Sequence, residues 1–236
     1  MKIIEYSQIE IDHLKEKCPV LGKYIDEIGP IEREVIPNLY SALVNSIVGQ
    51  QISTKAWATI WRRMQEQFGE ITAENIVGNS CETIQSVGIS MRKAQYIRGA
   101  AERITSGEID LEELYGLPDD EICRRLSGLK GIGVWTAEML MIFSMQRKDM
   151  FSFDDIAILR GLRMVYRHRK ITRELFEKYH RRFSPYASIA SLYLWEISVG
   201  TCGLKDCATM TEAQKKIKRR QNARNKKNNN INPKNE

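Results

Sequence analysis

The chain lacks the long apolar runs that membrane and exported proteins need. No stretch approaches the ~18 consecutive apolar residues of a transmembrane helix. The N-terminal MKIIEYSQIEIDHL becomes polar almost at once, which is unlike the apolar core of a signal peptide. We therefore expect a protein that does not interact with membranes and that resides in the cytoplasm.

Cysteine and histidine are also scarce. Five cysteines, an odd number, are scattered along 236 residues, and a disulfide-stabilised scaffold would need them paired and closely spaced. Three histidines lie far apart without the neighbours that a metal site requires. This usage predicts a reduced protein whose stability comes from an apolar core.

No segment shows the alternation of apolar and polar residues that is typical of a half-buried strand. Apolar residues recur instead at helical spacing, as in Leu39 to Ile47 and Val134 to Met145. Ser53, Ser90 and Thr172 stand where N-terminal caps are expected. The sequence therefore predicts an all-α protein of about ten helices.

Positive charge is concentrated at the C-terminal end. Residues 214–236 carry nine Lys/Arg and one Glu, so the rest of the chain has a net charge of about −2 although the total is +6. We predict a basic, Asn/Lys-rich disordered tail over 213–236 that follows a globular domain over 1–212. Any nucleic-acid surface on that domain must then be a local one.

A glycine-rich turn, GLKGIG from Gly128 to Gly133, joins two of the predicted helices. Gly131 and Gly133 permit a backbone that side chains would block, and their N–H groups can face outward where the next helix begins. Such N–H groups favour an anion, and the Thr136 hydroxyl can add to the same site. This pattern predicts phosphate binding, although a plain helix–helix turn would give a similar sequence.

Three separated motifs extend this pattern. They are LVNSIVGQQIS, GIGVWTAEM and FDDIAILRG, and Asp155 in the last of them lies 22 residues after Gly133. Together they resemble the helix-hairpin-helix, Gly/Pro-rich loop and aspartate superfamily of base-excision DNA glycosylases. Within it they are similar to the 3-methyladenine DNA glycosylase II branch, over roughly Val20 to Gly200.

The resemblance implies a two-lobed helical bundle with a DNA-binding cleft between the lobes. The middle lobe with its hairpin would run from residues 35–40 to about 170, and the remainder would form the other lobe. The N-terminal sheet domain of better-known bacterial members is absent, so the chain resembles the compact form of the family.

By the same resemblance, Asp155 is the catalytic carboxylate beside the sugar of the damaged nucleotide. Its neighbour Asp154 is the better candidate for the cap of the following helix. Bifunctional members carry a lysine where this chain has Trp135, so no lyase activity is expected.

The resemblance also implies a base pocket that contains Trp135, Trp195 and Met139. An aromatic face at Trp135 would attract a cationic alkylated base. Met139 and Ile156 replace tyrosines of the bacterial members, which makes the pocket less aromatic. Both tryptophans can alternatively be explained as core residues.

The loop at Gln50-Gln51 corresponds to the family's loop that fills the gap left by a flipped base. We favour Gln51 as the intercalating side chain, with Gln50 second; a solvated turn is the alternative. Arg92 and Lys93 can contact phosphates, or they can simply line a solvated helix face.

No cofactor is expected to be required. In the family, hairpin carbonyls can hold a monovalent cation, and by position these would be Ser127, Leu129 and Ile132 with Na⁺ or K⁺. Some relatives bind an iron–sulfur cluster through four cysteines near the C-terminus, but this chain has two there, Cys202 and Cys207, so a cluster is not expected.

The sequence thus predicts a monomeric, monofunctional DNA glycosylase that acts on duplex DNA in base excision repair. It would hydrolyse the N-glycosidic bond of alkylated purines such as 3-methyladenine and 7-methylguanine after flipping the base. Two alternatives remain, a glycosylase for oxidised or deaminated bases and a helix-hairpin-helix module that binds DNA without catalysis.

Overall fold

The structure is a computed structural model and describes residues 2–208. Within this range it contains thirteen α-helices and one isolated β-bridge, between Ile3 and Glu34. The helices are α1 (Gln8–Lys17), α2 (Pro19–Ile28), α3 (Leu39–Gly49), α4 (Thr54–Phe68), α5 (Ala73–Val77), α6 (Cys81–Gln85), α7 (Met91–Thr105), α8 (Leu111–Leu114), α9 (Asp119–Ser127), α10 (Val134–Phe143), α11 (Ile156–Tyr166), α12 (Arg173–Phe183) and α13 (Ala187–Ser198). The all-α prediction is confirmed, and the predicted tail over 213–236 lies outside the described residues.

Side-chain caps define where many of these helices begin. Ser53, Ser90 and Thr172 each accept a hydrogen bond from a backbone N–H in the first turn, as the sequence predicted. Helix α10 is different, because its N-cap is Gly133 and no side chain caps it. The first-turn N–H groups of α10 therefore remain available to an external acceptor.

The helices form two lobes. Helices α3–α7, α9 and α10 pack on one another and form the middle lobe, to which the short α8 is linked by the Glu113–Arg125 ion pair. Helices α1, α2, α11, α12 and α13 pack together as the second, outer lobe. The middle lobe had been predicted to extend to about residue 170. The structure places α11 in the outer lobe, because its apolar face packs against α13 and α2, so the middle lobe ends before residue 156.

Helix α13 is the centre of the outer lobe and is buried along almost its whole length. Helix α11 approaches it so closely that a Cβ atom on Gly161 would lie 2.5 Å from the carbonyl oxygen of Leu194. This contact fixes the position of α11, and therefore of Asp155 at its N-terminus.

No helix among residues 2–208 combines the length and the apolar character needed to cross a membrane.

Candidate active site

The glycine turn forms a tight hairpin loop between α9 and α10. Gly131 has φ +89°, and a Cβ atom there would lie 2.4 Å from Cδ2 of Tyr96. Gly133 has φ −89° and no neighbouring atom near its Cβ position. Gly133, Val134 and Trp135 are exposed, whereas Thr136 is half-buried. The predicted hairpin is therefore present, and its uncapped end faces solvent; phosphate binding there remains a prediction.

Asp155 is the N-cap of α11 and is 6% exposed. Its Oδ1 accepts hydrogen bonds from the backbone N–H groups of Ala157, at 2.8 Å, and Ile158, at 2.9 Å. The expectation that Asp154 caps this helix is wrong. Helix α11 begins at Ile156, so Asp155 occupies the cap position and Asp154 is exposed one residue before it.

Trp135 and Asp155 are in direct contact. The indole Nε1 of Trp135 donates a hydrogen bond to Oδ2 of Asp155 at 2.9 Å, across the boundary between the two lobes. Trp135 is nevertheless 46% exposed, so about half of the residue faces solvent. The structure thus brings together the predicted catalytic carboxylate and one predicted pocket aromatic, and Trp135 is not a core residue.

Sequence reasoning missed a second carboxyl group beside this pair. Glu138 lies one turn beyond Trp135 and accepts a hydrogen bond from the fully buried Ser152. Burial raises the pKa of Glu138, the hydrogen bond from Ser152 opposes that shift, and the nearby Asp154 and Asp155 add to it. Its signal in the sequence was its position as the sole charged residue of α10.

The other two predicted pocket residues lie against the core. Trp195 is half-buried on α13 and stacks on Phe143, with ring centroids 5.5 Å apart and planes 25° apart. Met139 is half-buried on α10 and packs on the hydrophobic core. The structure shows no bond from either side chain to Asp155 among the described residues, so their pocket role remains a prediction.

The two glutamines of the 50–51 loop have different environments. Gln50 Nε2 donates a hydrogen bond to the carbonyl of Gly131 at 2.8 Å, which ties this loop to the hairpin. Gln51 has φ +56° and its side chain is exposed. Gln50 is therefore engaged by the hairpin whereas Gln51 is exposed, and intercalation by Gln51 remains a prediction.

Lys93 is half-buried and anchors the glutamine loop. Its Nζ donates to the carbonyls of Val48, at 2.9 Å, and Gln50, at 2.7 Å, at the C-terminal end of α3. Burial lowers the pKa of Lys93. Two of the three ammonium donors hold the glutamine loop, and Lys93 also lines the groove beside Arg92, so a phosphate contact at Lys93 remains a prediction.

Arg92, in contrast, is exposed at the start of α7. Its guanidinium donates to the hydroxyl of Tyr96 and lies 5.4 Å from the centroid of that ring. A groove of about 500 Å³ opens between this helix, the glutamine loop and the hairpin. Arg92 remains a candidate phosphate contact at one wall of that groove.

The hairpin carbonyls proposed for a cation are partly engaged. The Leu129 carbonyl accepts a hydrogen bond from the N–H of Ile132 at 3.1 Å, and carbonyl oxygens have a second lone pair. The carbonyls of Ser127 and Ile132 accept no hydrogen bond within residues 2–208. The donor set is neutral and all-oxygen, which suits a monovalent cation.

Comparison with known proteins agrees with this geometry. A family model described as HhH-GPD superfamily base excision DNA repair protein matches residues 44–185. DNA-3-methyladenine glycosylase 1 of Schizosaccharomyces pombe is 32% identical over 199 residues, which cover 81% of this chain and 86% of that protein.

Two solved structures are similar over most of their length. A DNA-3-methyladenine glycosidase from Bacillus halodurans has a TM-score of 0.77 and 31% identity, covering 88% of this chain and 97% of that one. The S. pombe 3-methyladenine DNA glycosylase in complex with abasic DNA has a TM-score of 0.67 and 30% identity, covering 80% and 96%. The chain therefore belongs to the HhH-GPD superfamily of base excision DNA repair proteins.

Proposed function

We propose that this protein is a monofunctional DNA glycosylase that hydrolyses the N-glycosidic bond of alkylated purines in duplex DNA, with 3-methyladenine and 7-methylguanine as substrates. The observation that carries the proposal is the pairing of Asp155 with a half-exposed Trp135 beside the hairpin. The names of the relatives, and the DNA in one neighbouring structure, support the substrate class.

DNA would bind along the face that carries the hairpin and the glutamine loop. The uncapped N-terminus of α10 offers backbone N–H groups, near Gly131 and Gly133, to a phosphate, with Thr136 beside them. Gln51 would enter the duplex where the damaged nucleotide leaves it. Unstacking a base costs a few kcal/mol and is easiest at a damaged site, so this step already favours lesions.

The chemistry would centre on the charge of Asp155. Departure of the base leaves positive charge on the sugar, and a fixed carboxylate next to C1′ stabilises that transition state. Water then adds to C1′, and no covalent bond to the protein forms. The proposal does not include a strand-cleavage step, because Trp135 occupies the position of the lysine that lyase members use as a nucleophile.

Substrate preference would come from charge. Alkylation at N3 or N7 makes a purine cationic, which improves it as a leaving group and attracts it to an aromatic face. The exposed ring of Trp135 offers such a face within hydrogen-bonding distance of the catalytic carboxylate. A neutral oxidised or deaminated base would stack on this ring but would lack the cation–π attraction that a positively charged base gains.

The proposal also covers cofactors, bound cations, oligomeric state and localisation. The protein would act as a monomer in the cytoplasm and would require no cofactor. Na⁺ or K⁺ would bind the carbonyls of Ser127, Leu129 and Ile132 and stabilise the hairpin. Replacing K⁺ and Na⁺ by a bulky organic cation at constant ionic strength tests the cation by its effect on DNA affinity.

The activity is tested by incubating the protein with duplexes that each contain one lesion: 7-methylguanine, hypoxanthine or an oxidised purine. Free base released without strand nicking, with preference for the alkylated base, is the expected result. Asp155→Asn should lower the excision rate by ~10²-fold or more. Strand nicking without alkali would overturn the monofunctional assignment, and full activity of Asp155→Asn would overturn the catalytic one.

A further inference from the structure

The carboxylate of Asp155 has almost all of its hydrogen-bonding capacity in use. An ionised carboxylate offers about four lone-pair positions. Oδ1 accepts from two backbone N–H groups of α11, and Oδ2 accepts from the indole of Trp135. One position, on Oδ2, therefore remains open.

The three donors come from both lobes. The two backbone N–H groups belong to α11 in the outer lobe, whereas Trp135 is on the first turn of α10 in the middle lobe. With donors on both oxygens the carboxylate cannot rotate about its Cβ–Cγ bond without losing a hydrogen bond. The indole is held as well, because its N–H fixes the plane of a ring that is otherwise half exposed.

We infer that Trp135 is a positioning residue for Asp155, and that the two side chains act as one coupled unit. The indole N–H directs the open lone pair of Oδ2 toward the sugar, and the carboxylate holds the indole as the wall on which the flipped base stacks. This inference rests on the proposed function and adds to it, because it assigns Trp135 a role independent of the charge of the base.

Because of this coupling, the effect of Asp155→Asn on the excision rate includes more than the loss of a negative charge. In Asp155→Asn, an oxygen that stays on the two backbone N–H groups leaves the amide NH₂ facing the indole N–H. The opposite orientation places the NH₂ against the backbone donors. Either orientation creates a contact between donors, so Asp155→Asn also displaces Trp135 and does more than remove a charge.

A double-mutant cycle tests this inference. Trp135→Phe keeps an aromatic ring but removes the N–H, and in the wild-type background it should slow single-turnover excision by about 3- to 30-fold. In the Asp155→Asn background the same change should slow excision no further, or restore part of it, because the donor–donor contact is gone. An equal loss in both backgrounds would show that the residues act independently and would overturn the inference.

A spectroscopic readout is independent of activity. The chain has four tryptophans, so ¹⁵N-labelled protein gives four indole signals, and Trp135→Phe identifies one of them. That signal should shift markedly in Asp155→Asn and the other three should not. Trp61→Phe is the matched control: within residues 2–208 the indole N–H of Trp135 donates a hydrogen bond and that of Trp61 does not, so Trp61→Phe should leave the Trp135 signal in place.

The two measurements separate the possible failures. Absence of base release by the wild-type protein, with a shifted Trp135 signal, would refute the proposed function and leave the coupling intact. Base release with an unmoved Trp135 signal in Asp155→Asn would refute the coupling and leave the glycosylase assignment intact.

Discussion

The two glycines of the hairpin loop should respond very differently to the same substitution. In Gly131→Ala the new Cβ atom would lie 2.4 Å from the ring of Tyr96, and the residue would have to keep φ at +89°. Tyr96 cannot easily move away, because it is half-buried and its hydroxyl is held by Arg92. In Gly133→Ala the Cβ atom would meet no atom within 4 Å, at an ordinary φ of −89°.

The expected magnitudes follow from these geometries. A left-handed conformation costs an L-residue roughly 1–2 kcal/mol, and overpacking typically costs about 1–3 kcal/mol. Gly131→Ala should therefore lower the free energy of unfolding by about 2–5 kcal/mol, out of a typical total of about 5–15 kcal/mol. Gly133→Ala changes only the quality of an N-cap, for which about 1 kcal/mol or less is expected.

Urea unfolding of both variants beside the wild type measures these values. Affinity for undamaged duplex adds a second readout, because the Cβ atom of Gly133→Ala would stand among the N–H groups offered to a phosphate. We expect Gly133→Ala to lose about 1 kcal/mol or less of unfolding free energy and to weaken binding. Equal unfolding free energies for the two variants would refute the assigned clash with Tyr96.

Four further predictions follow from individual contacts. Gln51→Ala should slow excision from lesion duplexes without changing the unfolding free energy. Gln50→Ala should instead lower the free energy of unfolding in urea by about 1 kcal/mol, since this substitution removes the hydrogen bond to the hairpin. Gly161→Ala should lower the free energy of unfolding by about 1–3 kcal/mol and lower the excision rate, since the new Cβ atom pushes α11, which carries the proposed catalytic Asp155, away from α13; a variant with neither effect would contradict the close approach. Asp154→Asn should change the unfolding free energy by less than about 0.5 kcal/mol, since that side chain is exposed and caps nothing. Deleting 214–236 should weaken binding to undamaged DNA and flatten its salt dependence while lesion preference survives, since nine basic residues are removed; loss of base release at saturating enzyme would show that the tail belongs to the site.

Features set by neighbours in the chain were predictable from the sequence. Ser53, Ser90 and Thr172 cap helices as expected, because a cap needs only a short side-chain oxygen and the backbone two or three residues on. The hairpin loop was predictable for the same reason, because its glycines are neighbours in the chain. The predicted cap at Asp154 is displaced by one residue from the observed cap, because helix boundaries are the least certain part of a sequence pattern.

Features set by packing were not predictable. Gln50 meets Gly131 across 81 positions, and Lys93 meets the end of α3 across more than 40. Nothing in the local sequence around Lys93 distinguishes a buried anchor from a solvated lysine. Only the fold distinguishes Lys93, which holds the glutamine loop, from the exposed Arg92, which is left available to a ligand.

The loop that leads into Asp155 shows why this site is suited to electrostatic catalysis. Residues 144–155 cross from the middle lobe to the outer one, and Ser144, residues 150–152 and Asp155 are buried there, where an unpaired polar group would be costly. Serine hydroxyls supply hydrogen-bond partners along this segment. Ser144 donates to the carbonyl of Ile36, and Ser152 donates to the carboxyl of Glu138. Ser188, on α13, accepts from the N–H of Met150. The carboxylate at the end of this loop is therefore fixed by contacts with both lobes before any nucleotide arrives. Under the proposed mechanism, a charge that is already in place requires no reorganisation when positive charge develops on the sugar, and this preorganisation would make a single carboxylate effective.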